Sequence, residues 1–251
     1  MKGISDVSII TARMSSTRLP EKTIIKIKDH HSSIDITIER VKKIGIPVIL
    51  ATSDHPSDDI LVDICKKHGI EIFRGSLQNK IKRIYDCFCQ YKIKNALLVE
   101  GADICYDYDI AKRALYQLKT TNSDIIWCPD DIITGLFTLS MNFNAIKKLY
   151  QLVPSNNTDT DVFTHLFQRI DSEISYITLN DNEKNKDIRL TIDYEEDVIF
   201  FKKLYENFPI TEKSSEITDY IIKNPELSKI NFFREKDWKK NKISSIEKSN
   251  F

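Results

Sequence analysis

Between residues 12 and 22 the chain reads ARMSSTRLPEK, which places Arg13, Arg18 and Lys22 among the hydroxyls of Ser15, Ser16 and Thr17. Guanidinium forks, an ammonium, hydroxyls and open backbone amides together suit a polyphosphate, which charge-assisted hydrogen bonds hold best. The stretch has no glycine, so it is neither a GxxxxGK[ST] phosphate loop nor a GxGxxG fingerprint. Two further stretches carry carboxylates beyond apolar runs. NALLVEGADICYD leads to Glu100, Asp103, Asp107 and Asp109, and RLTIDYEEDV leads to Asp193. Magnesium takes one or two protein carboxylates and completes its shell with water and substrate phosphates, so Asp103 and Asp193 are the candidate ligands. Asp107 and Asp109 suit the cap of a following helix, and Glu195, Glu196 and Asp197 suit a negative first helical turn.

These residues need a scaffold that brings them to one edge. Apolar runs alternate with helical patterns over the first half of the chain. DVSIITA, IPVILAT, IEIFRG, NALLVE and SDIIWCP read as strands. SSIDITIERVKKI, DILVDICKKHG (closed by Gly69), NKIKRIYDCFCQYK and DIAKRALYQLKTT read as helices. That rhythm predicts an α/β fold: a mainly parallel sheet with helices on both faces and ligands outside the carboxyl ends of the strands. Beyond residue 130 the alternation loosens. GLFTLSMNFNAIKKLYQL reads as strand then helix, TDVFTHLFQRI as helix and EISYITLN as strand. RLTID reads as a strand before a long helix, and SSEITDYIIK as a helix broken near Pro225. One domain over residues 1–233 and a polar, frayed tail over 234–251 are expected.

Composition narrows the partners. The chain of 251 residues is 41% apolar, enough for a sizeable core, and carries 37 basic against 37 acidic residues. Neutral charge without a basic aromatic stripe disfavours nucleic acid. No apolar run approaches the roughly 18 residues of a membrane span, and no signal peptide is visible. Five scattered cysteines fit reduced thiols rather than a disulfide framework or a zinc site, so a cytoplasmic protein is expected.

Taken in order, the motifs resemble the cytidylyltransferases of cell-surface polysaccharide synthesis, particularly the spore-coat polysaccharide type. ARMSSTRLPEK is similar to that family's ARMGSTRLPGK loop, and VILATSDHPSDD to its second strand and acidic loop. FRGSLQNKIKRIYDC resembles its FRGS segment with an arginine seven residues on, here Arg83. EGADICYD sits at its TGDCPLID, LTIDYEEDV matches TVDTPEDL, and YIIKNPELSKIN resembles its ending. Ser15 and Glu21 replace glycines of that pattern, and Lys80 or Lys82 stands where an aspartate is usual. His165 is kept without the Arg-Glu that commonly precedes it.

The resemblance implies a glycosyltransferase-A-like (Rossmann-like) single domain that activates a sugar, an acidic one, with CTP and releases pyrophosphate. Arg13, Arg18, Lys22 and Asp103 would be catalytic, and Asp103 and Asp193 would ligate magnesium. Ala12, Arg13, Ser15, Ser16, Thr17, Arg18, Lys22, Thr52, Arg74, Ser76 and Arg83 would bind the nucleotide. A homodimer is a further implication. Another nucleotide, a sugar or polyol phosphate acceptor, and a relative without turnover remain as alternatives.

Overall fold

The structure, a computed structural model, describes residues 3–184 and 187–248. Residues 1–2 and 185–186 of the expected domain and 249–251 of the expected tail lie outside the described residues. In chain order the elements begin with β1 (Asp6–Thr11), the short β2 (Lys26–Lys28) and β3 (His31–Ser32), α1 (Ser33–Lys42), β4 (Val48–Ser53) and α2 (Asp59–His68). They continue with β5 (Glu71–Gly75), α3 (Lys80–Tyr91), β6 (Asn95–Glu100), α4 (Tyr108–Thr120), β7 (Ile125–Trp127), β8 (Leu139–Asn142) and α5 (Phe143–Leu152). The last are β9 (Ile174–Tyr176), α6 (Glu195–Tyr205), α7 (Ser214–Lys223) and α8 (Arg234–Lys248).

Seven strands form one sheet in the order β5-β4-β1-β6-β8-β7-β9. β5, β4, β1 and β6 run parallel, β8 is antiparallel to both β6 and β7, and β7 pairs in parallel with β9. After β1 the chain steps outward to β4 and β5, then returns to place β6 on the other side of β1. That reversal opens a crevice at the carboxyl ends of β1 and β6. Register makes the crevice level, because Thr11, the last residue of β1, lies opposite Ala51 of β4 and Glu100 of β6.

Both faces of β1, β4 and β6 are buried, which explains their unbroken apolar runs. Val7 and Ile9 of β1 with Ala96 and Leu98 of β6 pack against α3 and α5 through Ile81, Ile84, Phe88, Ile146 and Leu149. Their neighbours Ile10, Leu97 and Val99 pack on the opposite face against α1, α4 and α6, among them Ile34, Ile38, Ala114 and Phe200. Local chemistry sets the helix ends. Ser32 and Asp35 form a capping box on α1, Asn79 caps α3, Asp107 caps α4 through the amides of Asp109 and Ile110, and Gly69 closes α2 at φ 63°.

Three expectations from the second half are corrected. TDVFTHLFQRI holds a 3-10 turn, Thr164–Arg169, where a helix was expected; Phe163, Leu166 and Phe167 bury themselves without a full helical face. RLTID is not a ladder strand. Its backbone is shared between two loops, Leu190 N–H donating to Thr134 O at 2.8 Å and Ile192 N–H to Ala102 O at 3.0 Å. Residues 234–248 of the expected frayed tail form α8. It is held by ion pairs rather than by an apolar stripe, so hydrophobic periodicity does not reveal it. All five cysteines are free thiols. Among the described residues no helix is long and apolar enough to cross a membrane.

Candidate active site

The loop after β1 is fastened at both ends. The Thr11 hydroxyl donates to Glu100 at 3.1 Å, and Ala12 lies against Gly101, where a Cβ on the glycine would come within 2.8 Å of the alanine's own. Only a residue without a side chain lets β6 turn so close to β1. The Met14 amide donates to Asp58 Oδ1 at 2.8 Å, and the other carboxylate oxygen of Asp58 receives the Thr52 hydroxyl and the Ser53 amide and hydroxyl. Burial acts to raise the Asp58 pKa, but the Ser53 hydroxyl and the Met14 amide more than offset it and keep the group ionised. Further along, Glu21 sits at φ 55°, the left-handed conformation that favours the glycine of the resembling motif. Thr23 and Ser33 anchor the end of the loop, the first through Arg13 O and the second through the carbonyls of Lys22 and Thr23.

The cations of this loop point at carboxylates. Arg18 donates to Asp193 Oδ1 at 2.6 Å, and Lys22 donates to the same oxygen at 2.7 Å and to Ile192 O at 3.1 Å. Arg13 donates to Leu77 O and pairs with Asp161 at 2.9 Å. The backbone bond from Ile192 to Ala102 joins two segments whose next residues are Asp193 and Asp103, which brings the two aspartates to one place. Their electrostatic states differ. For Asp193, burial favours the neutral acid, but Lys22 and Arg18 outweigh it and hold the carboxyl below its usual range. Asp103 is pushed up to about 7, mainly by burial; Glu100 and Asp193 push the same way, and the Thr191 hydroxyl and Lys22 oppose. Among the described residues no cation lies within ion-pair distance of Asp103.

The remaining sequence candidates fall into two groups. Ser15 and Thr17 are exposed on the loop, and Ser16 accepts the Leu19 amide. Thr52 is buried with its hydroxyl committed to Asp58. Arg74 is tied to the turn after β4 through Ser53 O, His55 O and Asp59. Ser76 donates to Asn156 O and accepts the Asn79 amide. Arg83 is fully buried and donates to Ser76 O and Leu77 O, so it backs the carbonyl that receives Arg13, while its Nε has no partner. Burial, then the nearby Arg13, bring its pKa down to about 10. Thr52, Arg74 and Arg83 therefore form the floor and rim of the crevice, behind the β1 loop. His165 lies in the 3-10 turn with neither ring nitrogen hydrogen-bonded among the described residues, and burial lowers its pKa.

Four residues of the site carried too little signal to be assigned a role from sequence. Asp161 meets Arg13 across 148 residues from an irregular loop. Lys80, noted only as a departure from a motif, is buried and pairs with Glu100 at 2.5 Å. Asp58 fits a helix cap equally well by type. Arg189 precedes Asp193 in a run that looks like a strand, yet it is fully buried and pairs with Asp193, Asp197 and Glu235.

The family model described as "Cytidylyltransferase" matches residues 7–217, well over half of the chain and every element of this crevice except α8. The chain belongs to the cytidylyltransferase family. This cytidylyltransferase is accordingly a CTP-dependent nucleotidyltransferase. It is 26% identical over 229 residues to an uncharacterised protein of Methanocaldococcus jannaschii, covering 90% of this chain and 93% of that one. It is 24% identical over 236 residues to the spore coat polysaccharide biosynthesis protein SpsF of Bacillus subtilis, covering 87% and 94%. Among solved structures, a cytidylyltransferase from Leptospira borgpetersenii superposes with a TM-score of 0.79 at 22% identity, over 89% of this chain and 96% of that one. A CMP:2-keto-3-deoxy-manno-octonic acid synthetase complexed with CTP gives 0.61 at 12% identity, over 80% and 98%. Those two structures establish a shared single-domain, Rossmann-like nucleotidyltransferase fold.

Proposed function

We propose that this cytidylyltransferase activates a sugar, an acidic one, by transferring the cytidylyl group of CTP to it for surface polysaccharide synthesis, with magnesium held by Asp103 and Asp193. The observation that carries the reading is the convergence of Arg13, Arg18 and Lys22 with Asp103 and Asp193 at the carboxyl edge of β1 and β6. Arg18 and Lys22 already hold an anionic oxygen, that of Asp193, and a triphosphate offers the same chemistry to both. Arg13 and the exposed hydroxyls of Ser15 and Thr17 extend that surface along the loop.

The donors fit magnesium. Asp103 and Asp193 supply two hard oxygen ligands, and the enclosed Asp103 lacks the positive charge that its ionised form requires. Magnesium, when bound, would neutralise charge developing on the phosphates. The residues of the chain do the rest. The loop cations orient the triphosphate so that an acceptor oxygen attacks the α-phosphorus, and the bond to the bridging oxygen breaks as pyrophosphate leaves. Lys80 and Arg83, with Arg13 and Lys22, place positive charge around Asp161. Arg13, Lys22 and Lys80 are each paired with a carboxylate, but among the described residues Arg83 pairs with none and donates to backbone carbonyls, and that unmatched cation supports an anionic acceptor. The spore-coat relative supports the polysaccharide role.

Pyrophosphate release, measured with magnesium, each nucleoside triphosphate and a panel of acidic and neutral sugars and sugar phosphates, tests the reading. Release with CTP and an acidic sugar is expected, with loss on chelation of the metal. Release only with a neutral sugar or a sugar phosphate would overturn the acceptor class, and full activity in chelator would overturn the metal assignment.

A further inference from the structure

Asp193 divides its two oxygens. Oδ1 faces the loop cations, Arg18 at 2.6 Å and Lys22 at 2.7 Å, whereas Oδ2 is taken from behind by Arg189 at 3.1 Å. The guanidinium of Arg189 is wholly buried and its fork is filled: Nε donates to Asp197 Oδ1 at 3.1 Å and the remaining nitrogen, Nη1, to Glu235 Oε2 at 3.0 Å. The rings of Tyr194 and Trp238 lie 5.6 and 5.8 Å from its centre. Its partners are themselves fixed. Asp197 receives the amides of Asp193 and Tyr194 and the side-chain amide of Asn231, and Glu235 receives the Thr134 hydroxyl at 2.9 Å. Gly135 at φ 97° brings Thr134 there, since a Cβ at that glycine would lie 2.1 Å from Leu190 O. Burial opposes the charge on Arg189, but Asp197, Asp193 and Glu235 outweigh it and raise its pKa.

We infer that Glu235 of α8, acting through Arg189, is a positioning residue of the cytidylyl-transfer site that presents a single oxygen of Asp193 to the triphosphate and its metal. Glu235 and Trp238 lie on α8, beyond residues 7–217 that match the family. The C-terminal helix thus braces the active site from behind. The physical cause is the filled fork. A planar guanidinium held by Asp197 and Glu235 beside two rings cannot swing, so Asp193 cannot turn its second oxygen toward the crevice.

The inference rests on the metal assignment of the proposed function, and the test separates the two. Calorimetric titration of CTP at a series of magnesium concentrations gives the metal dependence of nucleotide binding without turnover. Glu235→Gln keeps the shape and removes the charge; its apparent magnesium affinity should fall about tenfold, with CTP binding in chelator unchanged. Thr134→Val, which takes one hydrogen bond from Glu235, should shift it about two- to threefold in the same direction, and covers the case in which Glu235→Gln fails to fold. Loss of thermal stability in either folded variant with unchanged magnesium affinity would mean a merely structural contact and would overturn the inference alone. CTP binding by the unaltered protein that ignores magnesium would overturn the metal assignment and the inference with it.

Discussion

The two aspartates of the crevice stand side by side in opposite states. Asp193 is surrounded by Arg18 and Lys22 of the β1 loop and by Arg189 of its own segment, which keep it ionised. The turn after β6 encloses Asp103 with no cation paired to it among the described residues, and burial pushes its carboxyl up to about 7. One region is balanced before any ligand arrives. The other is left short of positive charge, a shortage that a metal ion with its phosphates can supply. Stability should therefore respond in opposite directions at the two positions while activity is lost at both, although both are carboxylates in one site.

The largest effect is expected at the balanced aspartate. Asp193→Ala leaves the buried Arg189 with one partner fewer and Lys22 without its carboxylate, and should cost about 3 kcal/mol in denaturant unfolding, with turnover lost. Unchanged stability would remove the contrast. Asp103→Asn should also stop turnover, lowering pyrophosphate release about a thousandfold as the metal's share of the barrier is lost, yet it should stabilise the fold. The sign follows from proton linkage. The folded-state pKa of about 7 lies above the ordinary 3.8, so the native protein keeps a proton that the unfolded chain releases between those values. Stability of the unaltered protein therefore falls as pH rises through that window. The variant escapes the fall, and its melting temperature at pH 7.5 should be higher by roughly 4–8 °C, converging with the unaltered protein near pH 4. A lower melting temperature at pH 7.5 would show that Asp103 is compensated after all.

Arg18→Ala probes the half-exposed rim of the balanced region. CTP affinity should weaken about tenfold by titration, with stability within about 0.5 kcal/mol of the unaltered protein. Retained affinity would leave Arg18 as a partner of Asp193 alone. The smallest effect is expected at a matched cluster elsewhere in the fold. His68, at the end of α2, faces Asp35 at 2.6 Å and Glu39 at 2.8 Å, and the Asp35 bond above all raises its pKa. Its contribution is fully present below the ordinary histidine value and fades as pH rises through the raised one. His68→Gln should cost about 1 kcal/mol at pH 5.5 and less at pH 9, by denaturant unfolding at both; an equal cost at both would exclude an imidazolium there.

Much of the scaffold was legible because its signals are local. Alternation of apolar runs with helical periods marked β1, β4, β5 and β6 and the helices between them, and Gly69 and Asp107 advertise helix ends by type. The cationic loop and the acids at strand ends named Arg13, Arg18, Lys22, Asp103 and Asp193 as candidates before any geometry existed. The irregular second half was less legible. The backbone of RLTID bonds to two separate loops rather than to a neighbouring strand, and α8 docks through Glu235, Arg234 and Trp238 rather than through an apolar stripe.

Residue type and periodicity act over a few neighbours, so the chain alone fixes the kind of chemistry available and the order in which its strands deliver it. Folding is what makes Arg13 meet Asp161 across 148 residues and Arg189 reach Glu235 across 46, and what leaves Asp193 paired with cations and Asp103 without one among the described residues. Charge state depends on burial and on distances between segments far apart in the chain, and those distances exist only once the chain has folded.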